Sequence, residues 1–223
     1  MQDHQKCTRT HQLMMQLTSQ TSILVTTVTK LCYLGSTISR DCKDTLDLIH
    51  RIRKAGNAFG ALKKSIFSSR RISDSAKSSA YQSLILPILL YGAESWCLTE
   101  SFLRQLRNFH HSCLRAMCGI NRTQVFEYHI STEQLLARLS LNLIEHYVFK
   151  RQLSWLGHTA RMPFERLPRK LLSSWVFNRR PRGSPEFTYG RGIYKALGWF
   201  SIDKKRWYEM VFDRGGWREL FNV

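Results

Sequence analysis

The chain has 223 residues, 43% hydrophobic and 12% aromatic, which excludes wholesale disorder and allows a core that buries roughly 70–75% of the unfolded surface. Lys and Arg number 34 against 16 Asp and Glu, so the net charge is +18, and a surplus of that size points to a polyanionic partner, most simply nucleic acid. Six cysteines are too sparse for a disulfide scaffold and read as reduced thiols, and the longest apolar run, LILPILLYGA, falls short of the roughly 20 residues a bilayer span needs.

No apolar leader segment stands at the N-terminus, so the expected setting is the nucleus or cytoplasm, with no membrane partner. Residues 1–20, rich in Gln, Thr and Ser, read as a poorly ordered segment. The β-branched stretch 22–39 with Gly35 is the one good strand candidate, two short strands or a hairpin. From Asp44 the apolar period becomes helical: Leu46, Ile49, Ile52, Phe59 and Leu62 stripe one face to about Lys64, with Asp44 and Asp47 at the helix start. After the basic turn SSRRISDS, a second helix spans about 74–91, capped by Ser73 or Asp74 and kinked at Pro87, with Ala80, Leu84, Ile88 and Tyr91 inward. A third runs from about Thr99 to Met117 with Phe102, Leu106, Phe109, Cys113, Leu114 and Met117 on its apolar face and Gly119 beyond its end.

Ser131-Thr-Glu-Gln134 has the spacing of a capping box and opens one or two helices through Trp155, with Leu135, Leu139, Ile144, Tyr147, Val148 and Leu156 as core candidates. A short helix is expected within 161–176, after Pro168, then the basic loop NRRPRGSP and two last helices near 193–197 and 201–212. The expected fold is mostly α: a short β-hairpin, a three-helix bundle, and a second helical region. The expected division is 1–20, 21–120 and 121–223.

Catalytic grammar is weak. No two aspartates are adjacent, and Asp41, Asp44 and Asp47, the nearest thing to a carboxylate cluster, read better as helix-start residues than as a two-metal site. His110, His111, Cys113 and Cys118 invite a zinc reading. On a continuous helix, however, Cys118 lies about 12 Å along the axis from His110, whereas the ligands of one zinc lie within about 2.3 Å of it. With no Ser-His-Asp pattern and no phosphate-binding Gly loop, no catalytic residue, metal or cofactor is assigned.

The cations are more informative. Arg51, Arg53, Lys54, Lys63 and Lys64 decorate the first helix, and Arg70 and Arg71 extend them into the turn. A denser set comprises Arg161, Arg166, Arg169, Lys170, Arg179, Arg180 and Arg182, with Glu165 the single acid among them and Trp155, Phe164, Trp175 and Phe177 nearby. Such residues neutralise phosphates, and aromatics among them can stack on unpaired bases. The competing reading is a basic helical protein–protein module with no nucleic-acid role. Arg179, Arg180 and Arg182, around Pro181 and Gly183, are expected to reach outward from a non-helical loop.

The order of several segments carries a resemblance. YLGSTIS at 33–39 is followed by RIRKAGNAFGALKK, AYQSLILPILLYGAESWCLT, LRNFHHSCLRAMCGI, LSWLGHTARM, ERLPRKLL, RPRGSP and FDRGGWREL. That succession resembles the thumb and C-terminal region of RTE-like non-LTR (LINE-type) retrotransposon endonuclease-reverse transcriptases. The likeness covers residues 31–220, although GSPEFTYGRG departs from the usual Trp-containing stretch. It implies that Tyr33, Leu34 and Gly35 lie at the primer grip, that the helices of 44–117 form the thumb against a template-primer duplex, and that the rest binds RNA or target DNA. The palm, with its Asp-Asp box, and the endonuclease would precede residue 20, so the chain resembles a truncated copy without polymerase activity of its own.

Overall fold

The computed structural model describes residues 12–18, 21–26, 28–40, 44–173 and 189–221. The protein is mostly α-helical, and it divides into two compact units, 1–50 and 51–223.

The first unit holds two antiparallel hairpins. Strand β1 (Gln12–Thr18) pairs with β2 (Thr21–Thr26), and β3 (Lys30–Tyr33) pairs with β4 (Ser36–Ser39). The expected poor order of the first twenty residues therefore gives way to a strand over 12–18. Its β-forming register partner, with Leu24 opposite Met14 and Ile23 opposite Met15, supplies the backbone bonds. The second hairpin turns through Leu34 and Gly35, both at positive φ (48° and 83°), the signature of a two-residue type I′ turn that suits the strand twist. Helix α1 (Thr45–Leu62) begins in this unit, and Asp47 is buried because its carboxylate accepts a hydrogen bond from the Thr37 amide at 2.9 Å. Asp47 is thus a tie between strand and helix, a role beyond the dipole-suiting helix start.

In the second unit α1 continues through one turn of π-helix (Lys63–Phe67). That turn swings Phe67 inward to stack on Phe59, ring centroids 4.3 Å apart, with Tyr81 edge-on to Phe59. Helix α2 (Asp74–Ala80) is capped by Ser73, whose hydroxyl accepts from the Ala76 amide. It runs through a second π turn (Tyr81–Ile85) into α3 (Leu86–Leu89). The chain absorbs Pro87 in this way: the wider turn just ahead of it relieves the clash and missing donor that proline brings to a helix. The π turn also shifts the inward face. Ile85, Leu86, Leu89 and Leu90 are buried, whereas Leu84 (45% exposed) and Tyr91 (46%) face outward and Ile88 is intermediate, contrary to the expected stripe. On α1, Leu48, Ala55 and Phe59 are buried, whereas Leu46, Ile52 and Leu62 are intermediate and Ile49 is exposed, so of the expected stripe Phe59 alone is fully inside.

Helix α4 (Glu100–Cys118) matches its expected bounds. Thr99 caps it through the Phe102 amide at 3.2 Å, and Gly119 ends it at φ 69°. Its inward face carries Phe102, Leu103, Leu106, His110, Cys113, Leu114 and Met117. Phe109 is intermediate and lies over Gly56 of α1, where a Cβ would sit 3.8 Å from its ring. The carboxyl end of α4 collects cations, as the helix dipole favours: Lys77 Nζ donates to the Met117 carbonyl at 3.1 Å, and Arg138 reaches Asp74 at 2.8 Å.

Two capping boxes start the next helices. Asn121 and Gln124 begin α5 (Arg122–Glu127), and Ser131 and Gln134 begin α6 (Thr132–Leu139), as the sequence spacing predicts for the second. Helix α7 (Ile144–Ala160) packs against α4, α8 (Leu167–Ser173), α9 (Tyr189–Trp199) and α11 (Arg214–Glu219) through Ile144, Val148, Phe149, Leu153 and Leu156. Between α9 and α11 lies the short α10 (Trp207–Met210).

Candidate nucleic-acid interface

The sequence-selected cations separate into three groups. Arg53, Lys54, Lys63, Lys64, Arg70 and Arg71 are exposed, the first two on α1, the next two in the π turn that continues it, and the last two in the turn beyond. Arg166 and Lys170 are exposed on and just before α8. Arg51, by contrast, is buried, its guanidinium 4.2 Å over the Tyr91 ring. It falls three residues after Leu48 and four before Ala55, on the inward face of α1. Arg51 therefore lies inside the protein against an aromatic face, not among the exposed cations.

Arg161 and Arg169 are half-buried and engaged within the protein. Arg161 closes the end of α7 and donates to the Val211 carbonyl at 2.6 Å. Arg169 lies 5.2 Å over the ring of Tyr208 and donates to its hydroxyl. Arg179, Arg180 and Arg182, with Trp175 and Phe177, lie outside the described residues, as does Asp41. In the first unit, Tyr33 is 61% exposed beside the turn formed by Leu34 and Gly35, so the side chain is accessible where the resemblance places a primer contact.

The histidine–cysteine group is built into the core. His110 is fully buried; its Nδ1 lies 2.8 Å from the Tyr81 hydroxyl and its Nε2 lies 3.1 Å from the Asn142 carbonyl. A carbonyl only accepts, so Nε2 carries the proton and Tyr81 donates to Nδ1. Burial pulls the His110 pKa down to about 4 and pushes the Cys113 thiol up to about 12, so both groups stay neutral at physiological pH. Among the described residues no group of three or more His, Cys, Asp or Glu side chains is placed to hold a metal ion. Nor is any described helix long and apolar enough to cross a membrane.

Sequence reasoning missed a cleft. Arg151, Ser154, Trp155, His158 and Arg161 form one stripe along the outer side of α7, and Arg214, Trp217 and Arg218 of α11 face it across about 340 Å³. The signal on α7 was the i, i+4, i+7 spacing of Arg151, Trp155 and His158. The signal for α11 was Asp213, whose carboxylate accepts from the Gly215 and Gly216 amides at 3.0 and 3.1 Å and caps a helix that two glycines disguise as a turn. Burial, and then the cations of Arg214 and Arg218, hold the Arg161 pKa below its ordinary value.

The chain is 32% identical over 130 residues to an uncharacterized transposon-derived protein of Caenorhabditis elegans. That similarity supports a transposon-related origin. The matched stretch covers 58% of this chain and 46% of that protein, so the chain spans about half the length of the curated relative it matches. No family model and no solved structure matches the chain.

Proposed function

We propose that the chain is the thumb and C-terminal part of an RTE-like, LINE-type retrotransposon reverse transcriptase, and that it binds nucleic acid in the nucleus or cytoplasm without catalysing synthesis on its own. The order of its motifs and the transposon-derived relative support the family part of this reading. The observation that carries the binding part is the set of six exposed cations along one helix and the turns that follow it: Arg53, Lys54, Lys63, Lys64, Arg70 and Arg71. A helix exposing such cations can run along a phosphate backbone, and the family resemblance assigns it the template-primer duplex. No cofactor enters this reading. These residues hold no adjacent aspartate pair able to place two magnesium ions about 4 Å apart.

A salt-dependent gel shift with RNA, DNA and hybrid duplexes tests the proposal. Replacing Arg53, Lys63 and Lys64 by Ala removes three charges and lowers the slope of log K against log salt by about 2–3 if all three meet phosphates. An unchanged slope in a folded variant refutes the assignment of this face. Primer extension with magnesium or manganese is expected to give no product, and template-dependent incorporation abolished by mutating one of the chain's own aspartates would overturn the non-catalytic reading. Binding to an acidic protein but to no nucleic acid would favour a protein–protein module instead.

A further inference from the structure

We propose that the cleft between α7 and α11 binds single-stranded nucleic acid, with an unpaired base against Trp155 and its phosphates among Arg161, Arg214 and Arg218. This rests on the reading of the chain as a nucleic-acid-binding protein, and it adds a second, chemically different site to the duplex-facing helix.

Charge is the first argument. Arg214 and Arg218 are exposed and stand four residues apart on one face of α11, where like charges destabilise a helix by a few tenths of a kcal/mol. Arg161 faces them from the end of α7. The carboxylate lining the cleft, Glu94, is engaged by Arg151 at 3.4 Å. Three guanidiniums thus converge on one recess, and an anion placed among them relieves their repulsion. Arginine, with its flat fork of donors, is suited to phosphate oxygens.

Rigidity is the second. The indole Nε1 of Trp217 donates to the Leu153 carbonyl at 3.0 Å and fixes α11 to α7. Gly157 makes that approach possible: a Cβ added there would fall 2.7 Å from Trp217 Cδ1 and closer still to Nε1. The same glycine leaves room for Arg161 Nη1, whose hydrogen bond to Val211 ties the third cation in place. The backbone that carries Arg214 and Arg218 and the guanidinium of Arg161 are therefore positioned before a ligand arrives, which lowers the ordering cost of binding.

Shape and aromaticity decide the class of ligand. Trp155 is 37% exposed, with the His158 ring 5.5 Å away, and its side chain lines the same recess as the arginines. In a duplex the base faces are already stacked on their neighbours, so an aromatic wall is used only by a base that has left a helix or never joined one. A recess of about 340 Å³ lies at the small end of ligand pockets, roughly 300–1,000 Å³, and suits a unit of nucleotide size.

The test uses the full chain and two labelled probes: oligothymidylate or oligouridylate of about ten nucleotides, and a blunt duplex of equal length. Arg214→Ala with Arg218→Ala changes only exposed side chains; it is expected to weaken single-strand binding more than tenfold and to lower its salt slope by about 1.4, while duplex binding stays within about twofold. Trp155→Ala is expected to weaken single-strand binding roughly 5- to 100-fold with little change in salt slope, because a stacked base carries no net charge. Comparing the thymidine and uridine probes reads whether DNA or RNA is preferred. Unchanged single-strand binding in both variants overturns the site but leaves the duplex reading intact, as does a wild-type chain that binds duplex alone. A wild-type chain that binds neither probe at low salt refutes the broader reading along with it.

Discussion

Acidification should weaken this fold through His110, and the structure sets the size of the effect. The imidazole is fully buried, with Tyr81 donating to one nitrogen and the Asn142 carbonyl accepting from the other. A proton added to Nδ1 would face the Tyr81 donor; burial, helped by the nearby His111 and only partly opposed by the Asn142 carbonyl, lowers the folded-state pKa from 6.5 to about 4. Above the unfolded value both states are neutral and the group contributes no pH dependence. As pH falls below it, the unfolded chain takes up a proton that the folded chain refuses, and stability drops until the folded value is reached. With those two values the loss is about 2 kcal/mol between pH 7 and pH 5 and about 3 kcal/mol by pH 4.

Urea unfolding of the wild type and of His110→Gln at both pH values isolates the contribution, because Glu100, Glu133, His111 and His146 titrate in both proteins. The variant is less stable at pH 7, but its further loss on going to pH 5 should be smaller than the wild-type loss by about 2 kcal/mol. Equal losses in the two proteins would show that His110 is not held neutral by its burial, and the reasoning would fail.

Three further outcomes are expected. Phe67→Ala should cost roughly 3–5 kcal/mol in denaturant unfolding, because the ring is fully buried and stacked on Phe59. Phe109→Ala should cost clearly less, since that ring is only half-buried; equal costs would contradict the placement of the two side chains. Gly157→Ala should destabilise by roughly 1–3 kcal/mol and weaken single-strand binding, because the added methyl meets the Trp217 indole; a stable variant with unaltered binding would deny the close approach of α11 to α7.

What could be read from sequence follows from how local each signal is. The bounds of α4 and the start of α6 came out correctly because Thr99, Gly119, Ser131 and Gln134 act within one turn of the residues they cap. The inward face of α2–α3 did not, since a π turn adds a fraction of a turn that hydropathy alone does not reveal: Ile85 and Leu89 took the places expected for Leu84 and Ile88. On α1, Leu48 and Ala55 are inside and Ile49 outside, a choice between neighbouring apolar positions that hydropathy alone does not make. Arg51 shows the same limit in charge. A cation reads as surface until the ring that covers it is known, and Tyr91 lies forty residues on along the chain.

The arginine cleft was invisible for the strongest form of that reason. Its walls come from one helix ending near residue 160 and another beginning at 214, and neither segment is unusually basic when viewed alone. What joins them is an absence: Gly157 lacks the Cβ that would hold Trp217 away, and with that obstacle gone the indole reaches the Leu153 carbonyl and draws Arg214 and Arg218 toward Arg161. A glycine in mid-helix costs about 1 kcal/mol relative to alanine in propensity. In α7 that cost is offset by a buried tryptophan and its hydrogen bond. The net charge of +18 thus acquires a location that composition could not give it. Part of the surplus lies exposed along α1 and the turns after it, and part converges on a recess of nucleotide size. The two geometries predict different ligands, duplex for the first and unpaired strand for the second, which is why variants in one should leave binding at the other in place.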